Sequence, residues 1–320
     1  MEILDWNRIE TLLPGLDVVE AIAEGFRRYS EGLAVVPPVG ELQFAEPPGD
    51  VHIKYGYLRG GRYYVVKIAS GFYDNPQLGL SSCMGLMLLF CQRTGVPEAL
   101  LLDDGRLTDI RTAAAGAVAA KRLAPTGVTR IGIVGTGIQA RVQARYLKEV
   151  LPTRDLIAWG RSEENLTAYL DEMKAAGFDV TAARSPREVA ETSQLIVTTT
   201  PAREPLLHAD WIAPGTHITA VGSDIPEKQE LDVGILAKAD CVIADSLSQC
   251  QHRGEIHKAR AAGVALDDRL VALGAALTDP SMGRQRPEDI TVADLTGVAV
   301  QDLQIAVAVL EAHRSGSAQV

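Results

Sequence analysis

The segment Arg130-Ile131-Gly132-Ile133-Val134-Gly135-Thr136-Gly137-Ile138-Gln139-Ala140 has the residue types that hold a pyrophosphate. An apolar strand runs directly into a G-x-G-x-x-A turn, and a helix opens at Ile138. In such a segment Gly135 permits the tight turn, Gly137 lets backbone approach the phosphates, and Ala140 keeps the helix close to the sheet. The helix N-terminus then favours the anion through its free N–H groups and its dipole. The next strand ends Ala158-Trp159-Gly160-Arg161-Ser162. NAD sites usually place Asp or Glu here for the ribose hydroxyls. Gly160 followed by a cation and a hydroxyl suits a 2′-phosphate, which predicts NADP(H) as the preferred cofactor with NAD(H) possible. Ser162 also fits as the N-cap of the following helix, and the two roles are compatible.

Several charged residues stand where local rules disfavour them. Arg111 falls in the expected first turn of a helix, where the dipole opposes a cation by roughly 0.3–1 kcal/mol. It is either a bidentate carboxylate clamp or one half of a salt bridge to Asp109 or Asp104. Lys67 interrupts the apolar strand Tyr64-Val65-Val66-Lys67-Ile68-Ala69, and His52 and Lys54 alternate with Val51, Ile53 and Tyr55. Each is on a solvated strand face or aimed into a cleft, and alternation alone does not choose. Asp224, in Gly222-Ser223-Asp224-Ile225-Pro226, follows a predicted strand of the nucleotide domain. Ligands of such sheets bind at the carboxyl ends of strands, so Asp224 is either an acid/base group or a turn residue. Thr198-Thr199-Thr200-Pro201 follows another strand end and is expected beside the cofactor.

The elements that must position these residues fall into two patterns. Asp17–Glu31 reads as a capped amphipathic helix with Val18, Ile22 and Phe26 on one face. Strands are expected at Val35–Phe44, Val51–Leu58, Tyr63–Ser70, Gly85–Phe90 and Ala99–Leu102, split by turns such as Tyr73-Asp74-Asn75-Pro76. Thr108–Leu123 is an alanine-rich helix suited to close packing. After Pro125, strands at Thr129–Val134, Leu156–Trp159, Asp179–Ala182, Leu195–Thr199, His217–Val221 and Cys241–Ala244 alternate with helices such as Ile138–Val150 and Glu163–Ala176. That alternation implies a parallel, doubly wound sheet. Val298–Leu310 is apolar almost all round and predicts a buried helix that returns to the first domain. The expected class is α/β: a Rossmann domain at 125–295, and a β-rich α+β domain formed by 1–124 and 296–320.

These segments together resemble the ornithine cyclodeaminase/mu-crystallin family. The resemblance rests on Val66-Lys67-Ile68, Leu107-Thr108-Asp109-Ile110-Arg111-Thr112-Ala113-Ala114, the Gly135–Ala140 turn, Val221–Leu231 and Thr296-Gly297-Val298-Ala299-Val300-Gln301-Asp302, in order along nearly the whole chain. It implies a dimeric two-domain enzyme with its active site between the domains. Lys67 would bind substrate and take part in catalysis, Arg111 would hold the carboxylate, and Asp224 would act as acid/base. Gln139, Ser82, Thr198, Lys228 and Thr296 would contact cofactor. Two departures bear on the substrate. An arginine common in the first domain is replaced by Gly40, after Pro37-Pro38-Val39. His52 and Lys54 stand in place of an apolar pattern. Lys54, with His52, is therefore expected on the substrate, replacing the charge absent at Gly40.

The expected activity is NAD(P)H-dependent reduction of a small imino acid, either a cyclic imine such as a pyrroline or piperideine carboxylate or the imine of a 2-oxo acid. The alternatives are cyclodeamination of ornithine or lysine with bound NAD, and non-catalytic small-molecule binding. With 320 residues, 47% hydrophobic and 22% charged, the chain can bury about two cores. The net charge of -10 argues against nucleic acid. The four cysteines form no CxxC pair and the six histidines no ligand pattern, so no metal is expected. No signal peptide or membrane span is read, which predicts a cytoplasmic protein, and the resemblance implies a homodimer, with the first domain for substrate and dimerisation.

Overall fold

A computed structural model describes residues 1–72 and 74–317. Tyr73, the first residue of the turn expected at 73–76, lies outside the described residues. The chain divides into two compact units, Met1–Arg111 with Val298–Val320, and Thr112–Gly297. The discontinuous first unit was expected, but its boundaries were placed at 124/125 and 295/296. The first falls instead inside a helix, because the alanine-rich half of that helix belongs to the second unit's packing. A Cβ at Gly116 would collide with Gln143, and Gln143 donates to the Thr112 carbonyl at 3.2 Å.

Among its described residues, the first unit carries β1 (Glu2–Asp5), β2 (Ala34–Val35), β3 (Gly40–Phe44), β4 (Gly49–Leu58), β5 (Tyr63–Phe72), β6 (Cys83–Cys91) and β7 (Pro97–Leu102). They form one sheet in the order β1-β7-β6-β5-β4-β2, with β3 also paired to β4. The expected strand Val35–Phe44 is two strands. Pro37 and Pro38 have no N–H to give to a ladder and break it. β1 was not expected: only Leu4 of its four residues is buried, too little to show a period. Helices α1 (Trp6–Leu12) and α2 (Val18–Ser30) follow β1, the latter capped by Asp17, which accepts from Glu20 N–H at 2.9 Å.

The two faces of this sheet differ. Leu58, Val65, Met87, Leu89 and Leu101 are buried on the face covered by the C-terminal helix Ala299–Ser317. The register puts His52, Lys54 and Lys67 on that same face, Lys54 directly opposite Lys67 on the neighbouring strand. The other face leaves Ile3, Leu42, Phe44, Tyr55, Met84 and Leu102 exposed.

The helix Arg106–Leu123, α3, leads into the second unit. There an eight-stranded sheet is parallel throughout. Its strands are β8 (Ile131–Val134), β9 (Asp155–Trp159), β10 (Asp179–Ala182), β11 (Leu195–Thr198), β12 (His217–Ala220), β13 (Cys241–Ala244), β14 (Leu270–Ala272) and β15 (Thr291–Asp294), in the order β10-β9-β8-β11-β12-β15-β13-β14. The intervening helices are α4 (Ile138–Val150), α5 (Glu163–Ala175), α6 (Pro186–Thr192), α7 (Val233–Lys238), α8 (Gly254–Ala261) and α9 (Leu273–Thr278). The C-terminal helix of the first unit is α10. Strands β8, β11, β12, β13 and β15 are buried at every residue, as expected of strands with both faces covered. This is the doubly wound Rossmann sheet the sequence predicts. β14 and β15 were missed. Thr291-Val292-Ala293-Asp294 reads as polar, but Thr291 bonds buried His217 at 2.8 Å and Asp294 accepts Ile256 N–H at 2.8 Å, so the polar groups are satisfied inside.

Candidate functional site

In the second unit the carboxyl ends of β8, β9 and β11 carry the nucleotide loop. Gly135 has φ +115°, and a Cβ there would meet Thr199 Oγ1. Gly137 N-caps α4 without a side-chain cap, so first-turn N–H groups are left for a ligand. A Cβ at Gly137 would meet no protein atom. Packing therefore does not demand glycine at 137; the open space beside it would suit a pyrophosphate. Ile138 is exposed and Gln139 half-buried in the first turn of α4. A pocket beside the loop is lined by Gly137, Gly160, Arg161, Ser162, Thr199 and Thr200, among others. Arg161 is exposed at its rim, and Ser162 caps α5 by accepting from Asn165 N–H at 3.3 Å. The residues present thus fit a dinucleotide.

Thr198 and Thr296, both expected at the cofactor, have their hydroxyls held by protein partners. Thr198 is fully buried and its hydroxyl donates to Glu230 at 2.7 Å, so Thr199 and Thr200 are the threonines that line the pocket. The Thr296 hydroxyl donates to buried Asp245 at 3.0 Å and accepts from Gln249 at 2.8 Å. Lys228 is bound to Asp224 at 2.7 Å, in the loop that follows β12. Asp224 is partly exposed there, and its carbonyl accepts from Arg253 at 3.3 Å. Ser82 belongs to the first unit, where its carbonyl accepts Phe72 N–H at 2.9 Å.

Sequence reasoning missed the buried acids behind this edge. Glu230 accepts from Thr198, from the hydroxyl and N–H of Thr200, and from Gly222 N–H at 2.8 Å, tying the loops after β11 and β12 together. Glu255 accepts from Glu230 N–H at 2.7 Å, and Asp294 accepts at the start of α8. Burial pushes the carboxyls of Glu230 and Glu255 up, and that of Asp294 to about 8. A carboxyl whose folded-state pKa is raised contributes its full stability only below its unfolded value, 3.8 for Asp294. That contribution is lost as pH rises to about 8. Asp294→Asn keeps an oxygen for Ile256 N–H and cannot ionise. Thermal melts between about pH 5 and about pH 8 should show the wild type losing more stability with rising pH than the variant. Parallel curves would mean Asp294 titrates as an ordinary carboxyl.

In the first unit, Lys67 (2% exposed), Arg111 (4%) and Lys54 (7%) are buried around Asp302 of α10, itself fully buried. Arg111 Nε lies 2.9 Å from Asp302 Oδ1, and Lys67 Nζ lies 3.8 Å from Asp302 Oδ2. Arg111 Nη1 donates to Gln301 Oε1 at 2.8 Å. Burial acts to raise the Asp302 carboxyl, but Arg111, Lys67 and Lys54 outweigh it and hold it below the usual range. Asp103, which accepts Leu107 N–H at 2.8 Å, is pushed up to about 6, chiefly by burial. His52 lies 3.8 Å from Asp50.

Two expectations about these residues change. Arg111 pairs with Asp302, not with Asp109 or Asp104. Because α3 starts at Arg106, Arg111 sits in its second turn, where the dipole carries less weight than in the first. Lys54 also cannot stand in for a side chain at Gly40. Gly40 pairs with Ile53, so a side chain there would lie on the sheet face opposite Lys54. Asp302 and Gln301 are the functional candidates the sequence reading left without a role. Their signal was present as two adjacent polar residues that, with Gln304, interrupt the apolar run Val298–Leu310.

The chain matches the ornithine cyclodeaminase/mu-crystallin family over residues 2–317. It is 42% identical, over 96% of its length and 94% of the relative's, to an uncharacterised cyclodeaminase of Sinorhizobium fredii. It is 36% identical, over 97% of each chain, to the iminosuccinate reductase of Paracoccus denitrificans. It superposes on the Δ1-pyrroline-2-carboxylate reductase of Thermococcus litoralis in complex with NADH and L-proline. That match has a TM-score of 0.92 and 29% identity, and covers 99% of this chain and 98% of the other.

Proposed function

This chain belongs to the ornithine cyclodeaminase/mu-crystallin family, and from that premise we propose that it is an NAD(P)H-dependent reductase of small imino acids. The observation that carries this reading is the buried set Lys54, Lys67 and Arg111. Burying charge is costly unless it is paired, and buried cations gathered beside Asp302 and Asp103 suit the binding of an anion. The α-carboxylate of an imino acid supplies one. Arg111, fixed by Gln301 and Asp302, offers its guanidinium to that carboxylate, and Lys67 lies beside it. Asp224 is the proposed proton-handling group, with Lys228 bonded to it. A reduced nicotinamide, when bound, would supply the hydride for the new C–H bond, and Asp224 would deliver the proton taken up by the C=N nitrogen. Gly135, Gly137 and the first turn of α4 would hold its pyrophosphate. Gly160, Arg161 and Ser162 are proposed to favour a 2′-phosphate, hence NADPH over NADH. Two copies are proposed to pair through the exposed apolar face of the first unit's sheet, since such faces mark interfaces.

The test is a screen for NADPH and NADH oxidation over pyrroline and piperideine carboxylates and over 2-oxo acids with ammonia. An ammonia-release assay on ornithine and lysine runs alongside, because the Sinorhizobium relative is called a cyclodeaminase. Catalytic oxidation of the reduced cofactor is expected. Ammonia without net oxidation would replace the reading with cyclodeamination, and binding without turnover would replace it with a binding protein. In the same assay Arg161→Ala should weaken NADPH by about tenfold and leave NADH within about twofold, the scale of one exposed charge-assisted contact. Equal wild-type affinity for the two cofactors would remove the argument from Arg161.

A further inference from the structure

Arg141 is the fourth residue of α4, at the end whose dipole disfavours a cation. Helix side chains lean toward the N-terminus, and this one reaches back to the loop after β8. Its Nη1 donates to the Thr136 carbonyl and, at 3.0 Å, to the Gly137 carbonyl. Its Nε donates to Glu172 of α5 at 2.6 Å. The guanidinium carbon lies 5.6 Å from the centre of the buried Tyr169 ring. One planar group thus joins the glycine loop to the neighbouring helix.

The two carbonyls belong to peptides beside the proposed pyrophosphate position. Both peptides are trans, so each C=O points opposite to the N–H of the next residue. With the carbonyls of Thr136 and Gly137 turned toward Arg141, the N–H groups of Gly137 and Ile138 are turned away from it. Among the described residues neither N–H meets a protein acceptor. Thr136 and Gly137 also line the pocket. Glycine lets these peptides rotate, and a rotated peptide would present a carbonyl oxygen where an anion must bind.

We infer that Arg141 is a positioning residue for the dinucleotide: its guanidinium fork locks the glycine loop so that the N–H groups of Gly137 and Ile138 face the pyrophosphate. The inference rests on the proposed cofactor site, not on which imine is reduced. The alternative is a plain salt bridge between α4 and α5, and the helix carries its own control. Arg145, one turn on, donates to the other oxygen of Glu172 at 2.6 Å and makes no bond to the loop among the described residues. A lysine is a point charge without the fixed fork that spans two carbonyls and a carboxylate.

Calorimetry with ADP, NADH and NADPH on the wild type, Arg141→Met and Arg145→Met tests it. Arg141→Met should weaken all three ligands by similar factors of about tenfold or more, because all three carry the pyrophosphate. That common loss differs from the effect expected of Arg161→Ala, which falls on NADPH alone. Arg145→Met should leave every affinity within about twofold, although it removes a bond to the same Glu172. Equal losses in the two variants, or wild-type affinities in a folded Arg141→Met protein, would overturn the inference and leave the cofactor site standing. A wild type that binds neither ADP nor either dinucleotide would overturn both. If Arg141→Met fails to fold, Arg141→Lys decides: it should still weaken the three ligands by about threefold or more, and wild-type affinities would sink the lock.

Discussion

Asp302→Asn is expected to lower folding stability by about 3–5 kcal/mol, the usual cost of removing one partner from a buried ion pair. The asparagine fills the same volume, so the loss is electrostatic. Arg111 at 2.9 Å and Lys67 at 3.8 Å would keep their burial and lose the carboxylate that offsets it. The Asp302 carboxyl is held below its usual range, so its contribution is present at neutral pH and lost only as pH falls through its folded-state value. The difference between wild type and variant should therefore be full at pH 7 and shrink in strong acid. A double-mutant cycle separates pairing from packing. Arg111→Met removes the charge that Asp302→Asn leaves stranded, so the double variant should be more stable than the two single losses predict. Denaturant melts at pH 7 give the four stabilities. Additive losses would show that Asp302 is held by packing alone and does not position Arg111.

The nucleotide half of this chain was legible because its chemistry is local. Gly135, Gly137 and Ala140 lie within one turn, and the strand before them and helix after them declare the context. The strand–helix alternation fixed the doubly wound class for the same reason: each strand is a short apolar run with a turn at its end. What the sequence hid depends on partners far along the chain. Asp302 meets Lys67 and Arg111 from the opposite end of the protein. Glu230 is a loop residue by pattern, yet three segments converge on it. Thr291 and Asp294 disguised β15 because its polar side chains are satisfied by His217 and by the start of α8.

The lysines show the limit in another way. Alternation places Val65, Lys67 and Ala69 on one face but not which face is covered. That is decided by α10 packing on β4 and β5, a contact no local period encodes. The proposed exchange of Gly40 for Lys54 failed on register. Charge was absent at one position and present at another nearby in sequence, but pairing of Gly40 with Ile53 sets the two on opposite faces. A one-residue difference in register reverses such an argument.

Asp224→Asn is expected to reduce turnover by about 100-fold or more with little change in stability or dinucleotide affinity. The variant is informative because Asp224 has two separable roles available. As a turn residue it binds Lys228 at 2.7 Å through one oxygen, and an asparagine oxygen can accept the same bond. The loop's other ties also remain, from the Ser223 hydroxyl to the Lys228 carbonyl at 2.8 Å and from Arg253 to the Asp224 carbonyl at 3.3 Å. As a proton-handling group it must change protonation state, which asparagine cannot do. Partial exposure of Asp224 keeps the folding cost small, in contrast to Asp302. The expected result is a normal melting temperature, normal dinucleotide binding and a loss confined mainly to kcat. Any limb of the wild-type pH–rate profile that belongs to Asp224 should vanish with it. Turnover within a few-fold of wild type in a well-folded Asp224→Asn protein would leave Asp224 as a turn residue and pass the proton to another group.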